Sequence, residues 1–265
     1  MTSQTHTLTA RVPLPGGQHI ALDWSAPAGG CRHAAVFIHG LGSNRRGDKS
    51  LHFARRFPEL GWGYLALDLR GHGESGGTMR ELTLTRCLED VAAALAWLPA
   101  GVRPSLLIGS SMGGAVAAWH RLLHPEAGTL TALIAPSFSF PRGWAAALSE
   151  QERESWRLAG TWRVRNEWLD LELGWILMED AARYDPARLA RDWKSPALIL
   201  HGMNDAAVDW RASLKFVEEC PHERLRLLLL KGGDHRLTAE KDYLFEAIQD
   251  WMAHEGATGL VAPPR

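Results

Sequence analysis

The sequence predicts an α/β domain: a mostly parallel sheet with an antiparallel hairpin at its N-terminal end, helices on both faces, and a helical cap insertion. Three observations predict it. Short apolar runs alternate along the chain with stretches of helical periodicity, the pattern of strand–helix–strand units. Those runs are apolar at successive positions, as strands buried on both faces must be. One connection, residues 136–195, is too long for a loop inside a compact domain and carries helical signals of its own.

Residues 7–12 and 18–24 flank Pro13-Leu14-Pro15-Gly16-Gly17, a turn-rich joint between two runs, and read as the hairpin. Apolar runs at 34–38, 64–69, 105–108, 130–135, 197–200 and 225–230 follow as strands. The clearest helix spaces Leu84, Cys87, Leu88, Val91, Leu95 and Leu98 by three and four, and Pro99 and Gly101 end it. Other helical stretches cover 48–60, 111–124, 210–220 and 238–254. Within 136–195, Ser149-Glu150-Gln151-Glu152 has the form of a capping box, and 173–182 is helix-compatible. Residues 1–265 therefore read as one domain with 136–195 as the inserted cap. Half of the 12 tryptophans fall in that cap: Trp144, Trp156, Trp162, Trp168, Trp175 and Trp193. A short Gly/Ala/Pro-rich tail follows His254.

Composition excludes several classes. The 29 basic and 30 acidic residues leave a net charge of −1, without the basic surplus of a phosphate-binding surface, so no nucleic-acid partner is expected. No run reaches 18 apolar residues and no apolar stretch opens the chain, so neither a membrane span nor a signal peptide is expected. The protein reads as cytoplasmic. Cys31, Cys87 and Cys220 are odd in number and far apart, which fits buried thiols better than a disulfide framework or a zinc site.

The sharpest motif is Gly109-Ser110-Ser111-Met112-Gly113, G-x-S-x-G between an apolar run and a helical stretch. A turn that tight strains its central residue, and glycines two positions to either side admit neighbouring backbone without a Cβ clash. The central hydroxyl then projects at a helix N-terminus, whose dipole favours developing negative charge. Ser111 is central; Ser110 would misplace the glycines. The alternative is a Gly/Ser-rich turn without chemistry.

A serine nucleophile requires a base and an acid to orient that base, in the chain order Ser, Asp or Glu, His. Asp205 follows the run 197–200 in His201-Gly202-Met203-Asn204-Asp205, and His235 follows 225–230 in Lys231-Gly232-Gly233-Asp234-His235. Ser111 would attack a carbonyl, His235 would carry the proton and Asp205 would hold the imidazole tautomer. Asp209 and Asp234 compete for the acid role, but Asp205 lies closer to its strand end than Asp209. Two backbone N–H groups should meet the oxyanion: Met112, after the nucleophile, and Leu41 in His39-Gly40-Leu41-Gly42.

Other patterns are weaker. Gly71-His72-Gly73-Glu74-Ser75-Gly76 matches G-x-G-x-x-G, yet it prolongs a second strand–helix loop instead of opening a helix after the first strand, so no dinucleotide is expected. His39, His72, His201 and His235 lack metal-ligand spacing; His39 and His201 read as hydrogen-bonded structural residues, and no metal or other cofactor is expected. Arg153, Arg157, Arg163 and Arg165 read as a solvated helix face, with an anionic substrate group as the alternative partner.

From residue 33 to 251 the chain resembles the α/β-hydrolase superfamily. The resemblance rests on His39-Gly40, Asp68-Leu69-Arg70-Gly71-His72-Gly73-Glu74-Ser75, the Ser111 turn, the His201–Asp205 stretch and Asp234-His235-Arg236. Gly-Ser-Ser-Met-Gly-Gly at 109–114 and Asp-His-Arg at 234–236 resemble the branch of abhydrolase domain-containing protein ten, an acyl-protein thioesterase and acyl-glucuronide esterase. The cap departs most, and no transit-peptide pattern accompanies that branch's mitochondrial location. The resemblance implies a cofactor-independent serine esterase or thioesterase acting on a small-molecule ester or thioester. The Trp-rich cap implies an apolar acyl group. A serine peptidase or amidase of the same fold, or a non-catalytic ligand-binding relative, are the alternatives.

Overall fold

The computed structural model describes residues 5–125, 129–167 and 169–255. Every predicted strand forms. They are β1 (Thr5–Pro13), β2 (His19–Pro27), β3 (His33–Ile38), β4 (Gly63–Leu67), β5 (Arg103–Ser110), β6 (Leu130–Ile134), then β9 (Ala197–Gly202) and β10 (Leu225–Leu230). They make one sheet in the order β1-β2-β4-β3-β5-β6-β9-β10. The β1–β2 and β2–β4 pairs are antiparallel and the rest parallel, so the N-terminal hairpin extends a parallel sheet as expected.

Strand side chains divide by parity between two cores. Ala34, Val36 and Ile38 of β3 pack on the side of α2 (Leu84–Trp97), α3 (Met112–Leu123) and α8 (Arg211–Glu219). Ala35 and Phe37 face α1 (Asp48–Glu59) and α9 (Lys241–His254), where Phe57 meets Phe53 and Phe245 edge to face. β10 departs from the expected two-faced burial: among the described residues it lies at the edge of the sheet with β9 as its only strand neighbour, and Arg226 and Leu229 are exposed. Cys87 is buried, but Cys31, in the loop between β2 and β3, and Cys220, at the C-terminal end of α8, are only half-buried.

The connection from β6 to β9 is more mixed than a helical cap. It holds α4 (Arg142–Ala146), α5 (Glu150–Ala159), α6 (Ile176–Ala181) and α7 (Pro186–Arg191), and also an antiparallel hairpin, β7 (Thr161–Arg165) with β8 (Asp170–Gly174). Ser149 and Glu152 form the expected capping box at α5. The stretch 173–182 is helical only from Ile176, since Leu173 and Gly174 end β8. Four indoles and a phenyl ring form the connection's own core: Trp144 meets Phe140 and Trp162, and Trp156 meets Trp162 and Trp175. Trp193 packs against Phe216 of α8. Trp168 and the tail beyond residue 255 lie outside the described residues.

Candidate active site

The turn from β5 into α3 aims Ser111. Its backbone sits at φ 55°, ψ −119°, a strained conformation that packing on every side imposes. A Cβ added at Gly109 would lie 2.3 Å from the Gly113 carbonyl oxygen, and one at Gly113 would lie 2.2 Å from that of Ile38. Glycine is therefore required at both flanks. The Ser111 N–H donates to the Ile134 carbonyl (2.9 Å), tying the turn to β6.

The structure brings Ser111, His235 and Asp205 into one hydrogen-bonded chain. His235 Nε2 lies 3.0 Å from Ser111 Oγ, and His235 Nδ1 lies 2.7 Å from Asp205 Oδ2. A carboxylate can only accept, so Nδ1 carries the proton and Nε2 is free to accept from the serine hydroxyl. Asp209 and Asp234 do not share in this chain: Asp209 accepts from the Arg211 N–H and Asp234 from the Leu237 N–H.

Asp205 is held from both oxygens. Oδ1 accepts the N–H groups of Ala207 and Val208 (both 2.8 Å), and Oδ2 accepts a second imidazole, His201 Nε2 (3.1 Å). His201 Nδ1 in turn faces Ser213 Oγ (2.8 Å), a buried hydroxyl. Burial of Asp205 would raise its pKa, but the hydrogen bonds from His201, His235 and Val208 hold it well below the usual carboxylate range. The histidine before glycine at this strand end is expected to be structural, and the structure shows Asp205 as its partner. Its spacing of four residues from Asp205 on a tight strand-end loop was the available signal.

The loop after β3 reaches the same point. A Cβ added at Gly40 would touch Ser111 Cβ at 3.1 Å, so Gly40 lies against the serine. Among the described residues, neither the Leu41 nor the Met112 N–H donates to an internal acceptor. Over this loop sits the β7–β8 hairpin: a Cβ at Gly42 would meet Leu169 Cδ2 at 2.4 Å and Leu171 Cδ2 at 3.6 Å. The connection 136–195 thus places leucines over the loop beside Ser111, while Trp144, Trp156, Trp162 and Trp175 pack on each other. A surface cavity of about 800 Å³, lined in part by Asp23, Arg45, Tyr64 and Lys241, lies apart from these residues.

The remaining motifs have structural partners. Gly71–Gly76 is a loop gathered around Asp68, which accepts from the N–H groups of Arg45 and Glu74 and pairs with the Arg45 guanidinium; it opens no helix. Arg157 pairs with Glu154, and Arg163 with Asp170 across the β7–β8 hairpin. Arg153 donates to the Ala145 and Leu148 carbonyls. Arg163 and Arg165 thus belong to a strand, not to a helix face. Among the described residues no helix is long and apolar enough to cross a membrane.

A model of the alpha/beta hydrolase family matches residues 35–264. Mitochondrial palmitoyl-protein thioesterase ABHD10 of Bos taurus is 25% identical over 215 residues, 78% of this chain and 68% of that protein. Monoacylglycerol lipase of Mycolicibacterium smegmatis is 28% identical over 226 residues, 83% of this chain and 75% of its own length. The solved structure of mouse alpha/beta hydrolase domain-containing protein 10 superimposes with a TM-score of 0.81 at 22% identity, covering 94% of this chain and all of that one.

Proposed function

The chain belongs to the alpha/beta hydrolase family and has its fold, and from that premise we propose that it is a cofactor-independent serine hydrolase of carboxylic esters or thioesters. The observation that carries the reading is the Ser111–His235–Asp205 hydrogen-bond chain at the C-terminal ends of β5, β9 and β10. Ser111 Oγ attacks the substrate carbonyl while His235 Nε2 takes its proton. Asp205 keeps the other imidazole proton on Nδ1 and stabilises the imidazolium. The oxyanion of the tetrahedral intermediate accepts the Leu41 and Met112 N–H groups, helped by the N-terminus of α3. Collapse expels the alcohol or thiol, which leaves with the proton from His235, and water attacks the acyl-Ser111 ester by the same route in reverse.

Residues 136–195 act as a cap over this site, and the acyl group is apolar. Leu169 and Leu171 above Gly42, with half-buried Leu41, supply an apolar wall beside the reacting carbonyl. The relatives named as palmitoyl-protein thioesterase and monoacylglycerol lipase support the same substrate class. Treatment of the folded protein with a fluorophosphonate should give one covalent adduct on Ser111, absent in Ser111→Ala. Lack of an adduct would sink the proposal.

A further inference from the structure

His39 follows β3 directly, is 1% exposed, and uses both ring nitrogens. Its Nε2 lies 3.1 Å from the Leu69 N–H, which can only donate, so Nε2 is the acceptor and the ring proton is on Nδ1. That Nδ1–H donates to the Gly40 carbonyl at 2.8 Å. The same carbonyl accepts the Ser43 N–H at 3.1 Å. In a trans peptide the C=O and the following N–H point in opposite directions. Holding the Gly40 oxygen therefore sets the direction of the Leu41 N–H, on the peptide that leaves Gly40, the residue lying against Ser111.

Resting on the reading of Leu41 as an oxyanion donor, we propose that His39 is a positioning residue that aims this N–H by gripping the Gly40 carbonyl through Nδ1. The grip is rigid because the ring is buried and packs on His72, with centroids 4.8 Å apart. Burial pushes His39 down to about 4, so the neutral tautomer this geometry needs persists near neutral pH.

The test separates the two nitrogens. The amide of His39→Asn reaches the place of Nδ1, whereas that of His39→Gln reaches the place of Nε2 and leaves the Gly40 carbonyl ungripped. His39→Asn should keep kcat for a p-nitrophenyl ester within about fivefold. His39→Gln should lower kcat about 10- to 100-fold with KM changed by less than about twofold, because a misaimed oxyanion donor is felt only in the transition state. Affinity for a boronic acid that forms a tetrahedral adduct should fall in parallel, and Tm should not follow this ranking. Long-range ¹⁵N NMR of the unaltered protein should show the Nδ1–H tautomer at His39. The proposal is overturned by equal kcat in both variants, by a rise in KM alone, or by an Nε2–H tautomer. Normal labelling and turnover of the unaltered protein beside an unimpaired His39→Gln would remove this inference alone; an unlabelled Ser111 would remove the hydrolase reading with it.

Discussion

Asp205→Asn is the substitution whose outcome the geometry determines most fully. The carboxylate accepts two backbone N–H groups at Oδ1, from Ala207 and Val208, and two imidazoles at Oδ2. An amide has one oxygen, and the backbone donors cannot turn away, so that oxygen keeps the Oδ1 place and the NH₂ faces the imidazoles. His201 can adapt, because its Nε2–H also has the Val208 carbonyl at 3.2 Å. His235 cannot. Its Nδ1 must accept from the new amide, its proton moves to Nε2, and the base then presents N–H to the hydroxyl it should deprotonate. The wrong tautomer in such a triad costs a factor of about 10⁴ in kcat, equivalent to about 5.4 kcal/mol at about 1.36 kcal/mol per decade. Steady-state hydrolysis of a p-nitrophenyl ester, beside a thermal melt to show that the shape is kept, measures it. A folded Asp205→Asn enzyme within tenfold of the parent kcat would refute the assignment of Asp205 and the tautomer argument together.

Three further outcomes follow from other contacts. Gly113→Ala drives a Cβ to 2.2 Å from the Ile38 carbonyl oxygen and 2.5 Å from that of His39, both backbone, so stability should fall by about 1–3 kcal/mol; a melt within one degree of the parent would contradict that packing. Leu169→Ala removes the side chain over Gly42 and should lower kcat/KM about fivefold or more for long-chain esters while sparing acetyl esters; a uniform effect across chain lengths would separate this residue from acyl binding. Burial pushes His39, His72 and His120 down to about 4, about 3 and about 4. The unfolded chain, with ordinary values near 6.5, then binds more protons in acid. Stability should be fully present above about pH 6.5 and be lost as pH falls toward 3–4, by at most about 4 kcal/mol per pH unit. Urea unfolding across pH 7 to 4.5 measures the slope, and a flat profile would refute the neutral burial of these rings.

The strands were legible because two-faced burial leaves uninterrupted apolar runs, and the Ser111 turn because strain there demands glycine at 109 and 113 whatever the surroundings. The β7–β8 hairpin was missed although Trp162-Arg163-Val164-Arg165 alternates with period two, burying Val164 and exposing both arginines. Its connection, Asn166 to Leu169, has no glycine, so the usual hairpin punctuation is missing. The two-faced burial expected of β10 failed for another reason: Leu-Arg-Leu-Leu-Leu-Leu reads like a central strand, and nothing local reveals that it lies at the edge of the sheet that the described residues form.

The two histidines that precede glycine at strand ends show where local reading stops. His39 and His201 have the same neighbourhood in the chain and the same expected role, a satisfied structural ring. One grips the Gly40 carbonyl beside the serine, and the other shares Asp205 with His235. What distinguishes them is one partner of fixed role each: at His39 Nε2 the Leu69 N–H, which can only donate, and at His201 Nε2 the Asp205 carboxylate, which can only accept, 30 and 4 residues away. Those partners set the tautomers, and the tautomers set which neighbour each ring can grip. Spacing places each histidine near Ser111 or Asp205; the partner that can only donate or only accept determines which ring nitrogen carries the proton.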